Sequence, residues 1–311
     1  MKDEATAQAR EVLRTLPFFS GLDPEGLSLE RLGGLTNLVF RVSDGKQSWC
    51  LRIPGKGTEE YIDRKVEAKA SHATSEAGVS PALLHADPDS GILVSDYLEG
   101  ARTMTPEGFA EVEGSPARAG EVFRRLHDSG AVFDFHFELF AMIDDYLKLL
   151  SGKTVELPAG YHEALERAEK VRSALAAHPL PLSPCHCDPL CENFLDLEGR
   201  MWLVDWEYSG MNDPLWDLGD LSVEAGFNAE QEEEMVRAYF GRAPLAAERG
   251  RIVIYKAMCD LLWTLWGLIQ FANDNPADDF WAYATGRFER CKSLMADPAF
   301  EDHLMAVQRG A

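Results

Sequence analysis

The chain reads as α+β, a sheet-rich N-terminal part followed by a mainly helical one, and three observations lead there. Strand-like apolar runs and turn signals concentrate in residues 1–98. Helical spacing dominates from residue 99 to 311. One short β-like block, Cys185–Asp205, is embedded among the helices. A chain of 311 residues is long enough for two lobes, and the change of pattern divides it into 1–98 and 99–311.

The elements follow in order. Residues 5–16 have helical spacing. Leu29–Phe40 reads as strand, glycine-containing turn and strand, and Trp49–Ile53 as a short apolar strand closed by the turn pair Pro54-Gly55. Tyr61–Glu76 carries mixed charge at helical spacing and stops near Gly78. Beyond Pro81, strand-like runs occupy Ala82–Ala86 and Gly91–Tyr97, and Asp96–Gly100 is the expected connector. Helices are expected over 106–127, 136–150, 159–177, 229–240, 249–272 and 276–293. Turns at Pro189 and Glu198-Gly199 shape the embedded β block, and no element is assigned between Asp205 and the helix at 229.

Composition narrows the partners. Hydrophobic residues make up 46% and charged residues 26%, ordinary values for a globular protein. The net charge of -22 repels nucleic-acid phosphates and anionic membranes and favours cations, although such a balance also serves solubility alone. Of six cysteines, Cys185, Cys187 and Cys191 crowd around His186, but this C-x-C-x₃-C run lacks the second pair that a structural zinc site needs, so reduced thiols are expected. Met1–Arg14 has no apolar signal core, and Ile252–Phe271 is interrupted by Lys256 and Asp260, as in a buried helix. These features predict a cytoplasmic protein without nucleic-acid partner or stable membrane association.

The strongest chemical signal is His186-x-Asp188-x₄-Asn193, followed twelve residues later by Asp205 after the apolar run Trp202-Leu203-Val204. Phosphoryl transfer needs a carboxylate beside the attacking hydroxyl and hard oxygen ligands for Mg²⁺. Asp188 suits the first task, as catalytic base, and Asn193 and Asp205 suit the second, while His186 braces the loop. The spacing matches the H-R-D-L-x-x-x-N and D-F-G segments of kinases, here H-C-D-P-L-C-E-N and D-W-E. Two N-terminal features are then expected. Gly33, Gly34, Thr36 and Asn37 lie in a turn able to cover phosphates, a turn that equally suits a plain hairpin. Arg52 on the third strand and Glu67 in R-K-V-E supply a basic residue and a helical carboxylate to pair with it; arginine forks onto phosphate or carboxylate.

Together these pieces, L-G-G-L-T-N (32–37), L-R-I-P-G (51–55), D-R-K-V-E (63–67), D-Y-L-E-G (96–100), H-C-D-P-L-C-E-N-F (186–194) and V-D-W-E-Y-S-G-M-N-D-P (204–214), resemble the choline/ethanolamine kinase family over about residues 30–290. The resemblance implies a bilobal protein-kinase-like fold, shared with aminoglycoside phosphotransferases, with an N-terminal antiparallel sheet lobe and a mainly helical C-terminal lobe. It implies ATP and Mg²⁺ as cofactors, Asp188 as base, Asn193 and Asp205 as metal ligands, Arg52 and Glu67 as the phosphate-binding pair, and Asp96, Tyr97 and Leu98 as the hinge holding adenine.

It also implies an acceptor, a small cationic alcohol such as choline. A quaternary ammonium has no hydrogen-bond donor, so aromatic faces and a carboxylate must recognise it. Trp263 and Trp266 share one helical face, Tyr283 precedes x-x-x-R-F, and Glu224 lies nineteen residues past Asp205, spacings that resemble the family's choline pocket. Tyr208 is a further wall residue. Tryptophans at that spacing also suit simple core packing. Asp217 is expected to brace the catalytic loop, and Asp213 and Asp220 to be solvated charges. Kinases of ethanolamine, thiamine or aminoglycosides, and a non-catalytic binding protein of this fold, remain alternatives. A protein kinase does not fit, because Asp213-Pro214 follows Asp205 within nine residues and no A-P-E segment intervenes.

Overall fold

Alternation in the N-terminal strands decides how the first sheet is covered. In the computed structural model, which describes residues 2–33, 37–55, 58 and 62–310, β1 (Ser28–Gly33), β2 (Leu38–Ser43), β3 (Ser48–Ile53), β4 (Leu83–Ala86) and β5 (Leu93–Asp96) form one antiparallel sheet in the order β1-β2-β3-β5-β4. Phe40 and Val42 alternate on β2, and Trp49, Leu51 and Ile53 on β3, so both strands turn one apolar face the same way. That face packs with Val94, Phe19 and Leu13, the last from α1 (Lys2–Thr15). Period 2 also sends Arg52 to the other face of β3, where it is buried. Helix α2 (Arg64–Glu76) starts at Asp63, whose side chain accepts from the Lys65 and Val66 N–H groups, and it carries Glu67 in its first turn.

A larger core holds the rest. It gathers α4 (Ser115–His127), α5 (Leu139–Leu150), α6 (Tyr161–Ala177), α7 (Leu215–Glu224), α9 (Ala246–Ala272), α10 (Phe280–Ala296) and α11 (Pro298–Arg309), and Ala70 of α2 and Val79 join it from the N-terminal side. Helix α3 (Pro106–Glu111) is separate from α4, because the chain turns at Gly114 in the left-handed region (φ 72°); the single helix expected over 106–127 is therefore two. α8 (Ala229–Phe240) opens with a capping box at Asn228 and Gln231. The β block comprises β6 (Arg102–Thr103), β8 (Phe194–Leu197) and β9 (Arg200–Leu203) in one sheet, with β7 (Ser183–Cys185) paired to β10 (Gly210–Asn212).

Two helices escape the sequence reading. α7 is buried on every side from Leu215 to Val223, so no polar face marks its period, and α11 lies beyond the last expected helix. α9 is long and apolar enough to cross a membrane by length and composition alone, but most of it is buried inside the protein. The expected α+β order of sheet first and helices after holds.

Candidate active site

The loop between β7 and β8 is shaped from below by one aspartate. Asp217, fully buried on α7, accepts the Cys187 N–H on Oδ1 and the His186 N–H on Oδ2, both at 2.8 Å. His127 Nε2 bonds the same Oδ2 at 3.0 Å, with its Nδ1 against the Tyr239 hydroxyl at 3.0 Å. Cys187 is held in the left-handed region (φ 68°), a conformation that persists only where its surroundings dictate it. His127 and Asp217 thus form a hydrogen-bonded brace, with Asp217 in the role expected of it, while the neighbouring Cys185 thiol donates to the Asn212 carbonyl (3.6 Å). His186 does what its position predicts, since its Nε2–H donates to the Val204 carbonyl at 2.9 Å.

That brace sets Asp188, Asn193 and Asp205 side by side. Asn193 Nδ2 donates to the Asp188 carbonyl (3.1 Å), and the Val204 N–H donates to the Asn193 carbonyl (3.0 Å), which brings the next residue, Asp205, alongside. Asp205 also has a left-handed backbone (φ 68°). Burial first, then the charges of Glu224, Asp205 and Glu207, hold the Asp188 carboxyl well above the usual carboxylate range. Asp205 is pushed up to about 7 by burial and by Glu207, against the opposing pull of Arg52. Its side chain keeps 33% of its surface, so water moderates that shift. Crowded carboxylates of raised pKa beside an amide are a hard-oxygen set short of positive charge, and they fit Mg²⁺.

Positive charge arrives from the N-terminal sheet. Arg52 Nη1 donates to Asp205 Oδ1 at 2.9 Å, and its Nη2 pairs with Glu67, so the expected Arg52–Glu67 pair is formed. Burial alone would lower the Arg52 pKa, but the Glu67, Asp205 and Glu207 charges outweigh it and raise it. Arg64 spans Glu67 (2.8 Å) and Glu207 (3.2 Å). Asn37 is buried, donating to Glu207 at 3.1 Å and accepting the Gly55 N–H at 3.3 Å. Gly33 ends β1, whereas Gly34 and Thr36 lie outside the described residues. Asp96 closes β5, with its N–H on the Ala82 carbonyl (2.9 Å); Tyr97 and Leu98 follow at the sheet's margin, Tyr97 beneath the Arg41 guanidinium at 5.0 Å.

The aromatic residues converge from three segments: the Tyr208 turn, α9 and α10. Tyr208 stands edge-on to Trp263 (5.3 Å between centroids) and accepts the Trp266 indole N–H at 2.9 Å. Trp266 is edge-on to Tyr283 and to Phe280, both at 5.6 Å. Gly267 makes this approach possible, because a Cβ there would lie 2.7 Å from Tyr283 Cδ1. Glu224, at the end of α7, is paired with Arg287, which also reaches Asp260 (3.1 Å) and sits over the Tyr283 ring at 4.7 Å. Arg290 holds Asp260 from the other side (2.7 Å). Glu224 is the largest charged contribution to the raised Asp188 pKa, which ties the aromatic cluster to the catalytic loop.

Two expectations are corrected. Asp213 and Asp220 are not solvated charges but are 7% and 1% exposed. Asp213 accepts from Arg251 and from the Tyr255 hydroxyl (2.9 Å), pinning α9 to the turn before α7, and Asp220 faces the Trp263 indole N–H at 3.4 Å. Both belong to α7 or its entry, and with that helix undetected their burial had no signal. Arg64, Glu207, Arg287 and Phe280 were also missed. Arg287 stands in the R-F pair after Tyr283 and Glu207 in D-W-E, so neighbouring motifs pointed at both.

Residues 28–251 match the phosphotransferase enzyme family. The chain is 65% identical to a choline/ethanolamine kinase family protein from Mesorhizobium loti, whose crystal structure superposes with a TM-score of 0.90, covering 98% of this chain and 100% of that one. The choline kinase LicA from Streptococcus pneumoniae is 27% identical with a TM-score of 0.79, over 94% of this chain and 99% of that one. Protein LicA from Haemophilus influenzae is 26% identical over 290 residues, 90% of this chain and 83% of that protein. The chain therefore belongs to the phosphotransferase enzyme family, within it to the choline/ethanolamine kinases, and is a small-molecule kinase of protein-kinase-like fold.

Proposed function

We propose that this kinase transfers the γ-phosphate of ATP to the hydroxyl of a small cationic amino alcohol, with choline as its best acceptor. The observation that carries this reading is the shared boundary between the two halves of the site. The cluster of Tyr208, Trp263, Trp266 and Tyr283 carries Glu224 at its edge, joined to Tyr283 through Arg287, and the Glu224 charge contributes, after burial, to the raised Asp188 pKa. Aromatic faces with a nearby carboxylate attract a cation that cannot donate hydrogen bonds. A head group held there would have to leave its hydroxyl, two carbons away, within reach of Asp188.

In this assignment Asp188 orients the acceptor hydroxyl and takes its proton. The oxygen attacks the γ-phosphorus in line, the bond to the β-phosphate oxygen breaks, and ADP leaves. Asn193 and Asp205 would hold Mg²⁺, which supplies charge neutralisation to the phosphates. Arg52, kept in place by Glu67, turns positive charge toward the phosphates. Gly33 and Asn37 flank the turn assigned to cover them, and Asp96, Tyr97 and Leu98 receive adenine. Residues 1–98 are then the nucleotide lobe and 99–311 the lobe that binds the acceptor. Most of the acceleration comes from positioning and fixed charge, since the protein forms no covalent bond to substrate.

Purified protein with Mg²⁺ and ATP is offered choline, ethanolamine, thiamine and kanamycin, and phosphorylated product is quantified. Choline should give the highest kcat/KM, and Trp263→Ala should raise the choline KM about tenfold, the scale of a desolvated cation–π contact. Transfer to thiamine or kanamycin in preference to both amino alcohols would overturn the acceptor, and absence of transfer to any of the four would overturn the reading.

A further inference from the structure

Asp220 is a buried carboxylate that the phosphoryl-transfer chemistry does not use. It lies on α7 one turn before Glu224, an i, i+4 pair that places both carboxylates on one side of the helix. Its Oδ2 meets the Trp263 indole N–H at 3.4 Å, a long contact, and its Oδ1 has no hydrogen-bond partner among the described residues. At 1% exposure that oxygen has left water without replacement, a costly state for a carboxylate. Burial first, then the charges of Glu224 and Asp188, raise its pKa well above the ordinary range, with Arg287 opposing. A bound cation is what such a group lacks. Arg287 opposes the shift through its charge but makes no ion pair with Asp220, its own pairs being with Glu224 and Asp260.

We infer that Asp220 is a second head-group carboxylate that decides how well the kinase accepts amines bearing N–H donors relative to quaternary ones. Oδ2 keeps the Trp263 ring in the orientation that walls the head-group site, and Oδ1 accepts a hydrogen bond from an ammonium N–H. Ethanolamine carries three such donors and N,N-dimethylethanolamine one, whereas choline carries none. Choline gains from Asp220 only its charge, without a directed hydrogen bond. An N–H donor gains a charge-assisted hydrogen bond, and a site built to accept one discriminates strongly when it is lost. The inference rests on the amino-alcohol reading above and deepens it.

The test compares wild type with Asp220→Asn, which preserves shape and removes charge. Steady-state kinetics are measured with ethanolamine and choline. The kcat/KM for ethanolamine should fall about 30-fold, the scale of a hydrogen bond to a charged group, with the loss in KM; the value for choline should fall no more than about fivefold. Equal losses for the two acceptors, no loss, or a loss confined to kcat would overturn the inference. A melting curve of the variant identifies misfolding. In that event wild type alone decides: N,N-dimethylethanolamine, nearly identical to choline in aromatic contact but with one N–H, should have a KM below that of choline, and a KM above it overturns the inference. Wild type that phosphorylates neither choline nor ethanolamine sinks the amino-alcohol reading and this inference with it. Wild type active on choline, with an unchanged acceptor ratio in the variant, sinks this inference alone.

Discussion

In the proposed assignment the phosphate side of the site takes Asp188, Asn193 and Asp205 from one stretch of chain, 188–205, whereas the aromatic side takes Tyr208, Glu224, Trp263, Trp266 and Tyr283 from separated segments. The first is held by backbone. Asp217 fixes two consecutive N–H groups, Cys187 and Asp205 sit at positive φ, and the Val204 N–H ties the metal-ligand candidates together. The second is held by side chains alone, ring edge to ring face, with the buried Arg287 joining Glu224 to Asp260. A backbone-held loop tolerates little displacement but can be carried intact between relatives. A site made by packed rings changes with the volume of each residue, so it is where acceptor choice can vary while the chemistry stays the same.

Substitutions that touch one side only should separate the two. The largest effect belongs to the phosphate side. Asp188→Asn should lower kcat by about 10³-fold, within the range for loss of a general base, while nucleotide binding measured by titration stays largely intact. Near-normal turnover would remove Asp188 from the chemistry. On the aromatic side, Arg287→Met should cost about 3 kcal/mol in a denaturant titration, the lower end for breaking a buried ion pair, because Arg290 still reaches Asp260. An unchanged midpoint would mean that the Glu224–Arg287–Asp260 chain contributes nothing to packing the helices. Gly267→Ala is gentler: its Cβ would displace the Tyr283 ring, costing about 1–3 kcal/mol, with a raised choline KM and a nearly constant kcat. A fall in kcat with KM constant would contradict the division drawn between the sides.

The last effect, discounted because Asp205 is part-exposed, is a pH dependence. With the Asp205 pKa raised to about 7, the folded chain retains a proton that the unfolded chain has lost above about pH 4. Stability in the absence of divalent cation should therefore fall as pH rises between about 4 and 7, and level off above that window. If Asp205 holds Mg²⁺ as proposed, the ion would replace the proton, and its addition should flatten the slope. Urea midpoints across that range, with and without Mg²⁺, measure this directly, and a slope of opposite sign would remove Asp205 from the metal site.

The legibility of each side follows from how it is held. The loop motif was visible because its residues must stay at fixed spacing on one stretch of backbone, and the strand that delivers Asp205 has its own apolar run, Trp202-Leu203-Val204. Arg52 and Glu67 were visible only in combination, as residues on a strand and a helix in the right order. Trp263 and Trp266 showed a shared helical face, but periodicity could not distinguish a head-group site from core packing. Asp213 and Asp220 were misjudged for a related reason. A helix buried on every side, as α7 is, has no polar stripe, and its acidic residues look like those of a loop.

By itself the sequence determined the order of sheet and helices, through alternation at period 2 and apolar spacing at period 3.6, and it marked Asp188, Asn193 and Asp205 as the candidates for phosphoryl transfer, because a loop's chemistry is written in closely spaced positions. Only the tertiary structure decided that Asp217 ties His127 to the catalytic loop, that Arg287 engages Glu224, and that Asp220 lies buried beside Trp263 with an oxygen unpartnered among the described residues. Each of these contacts joins residues far apart in the chain. Burial and partnership at such distances are settled by which helices pack together, a property of the whole core that no local pattern carries.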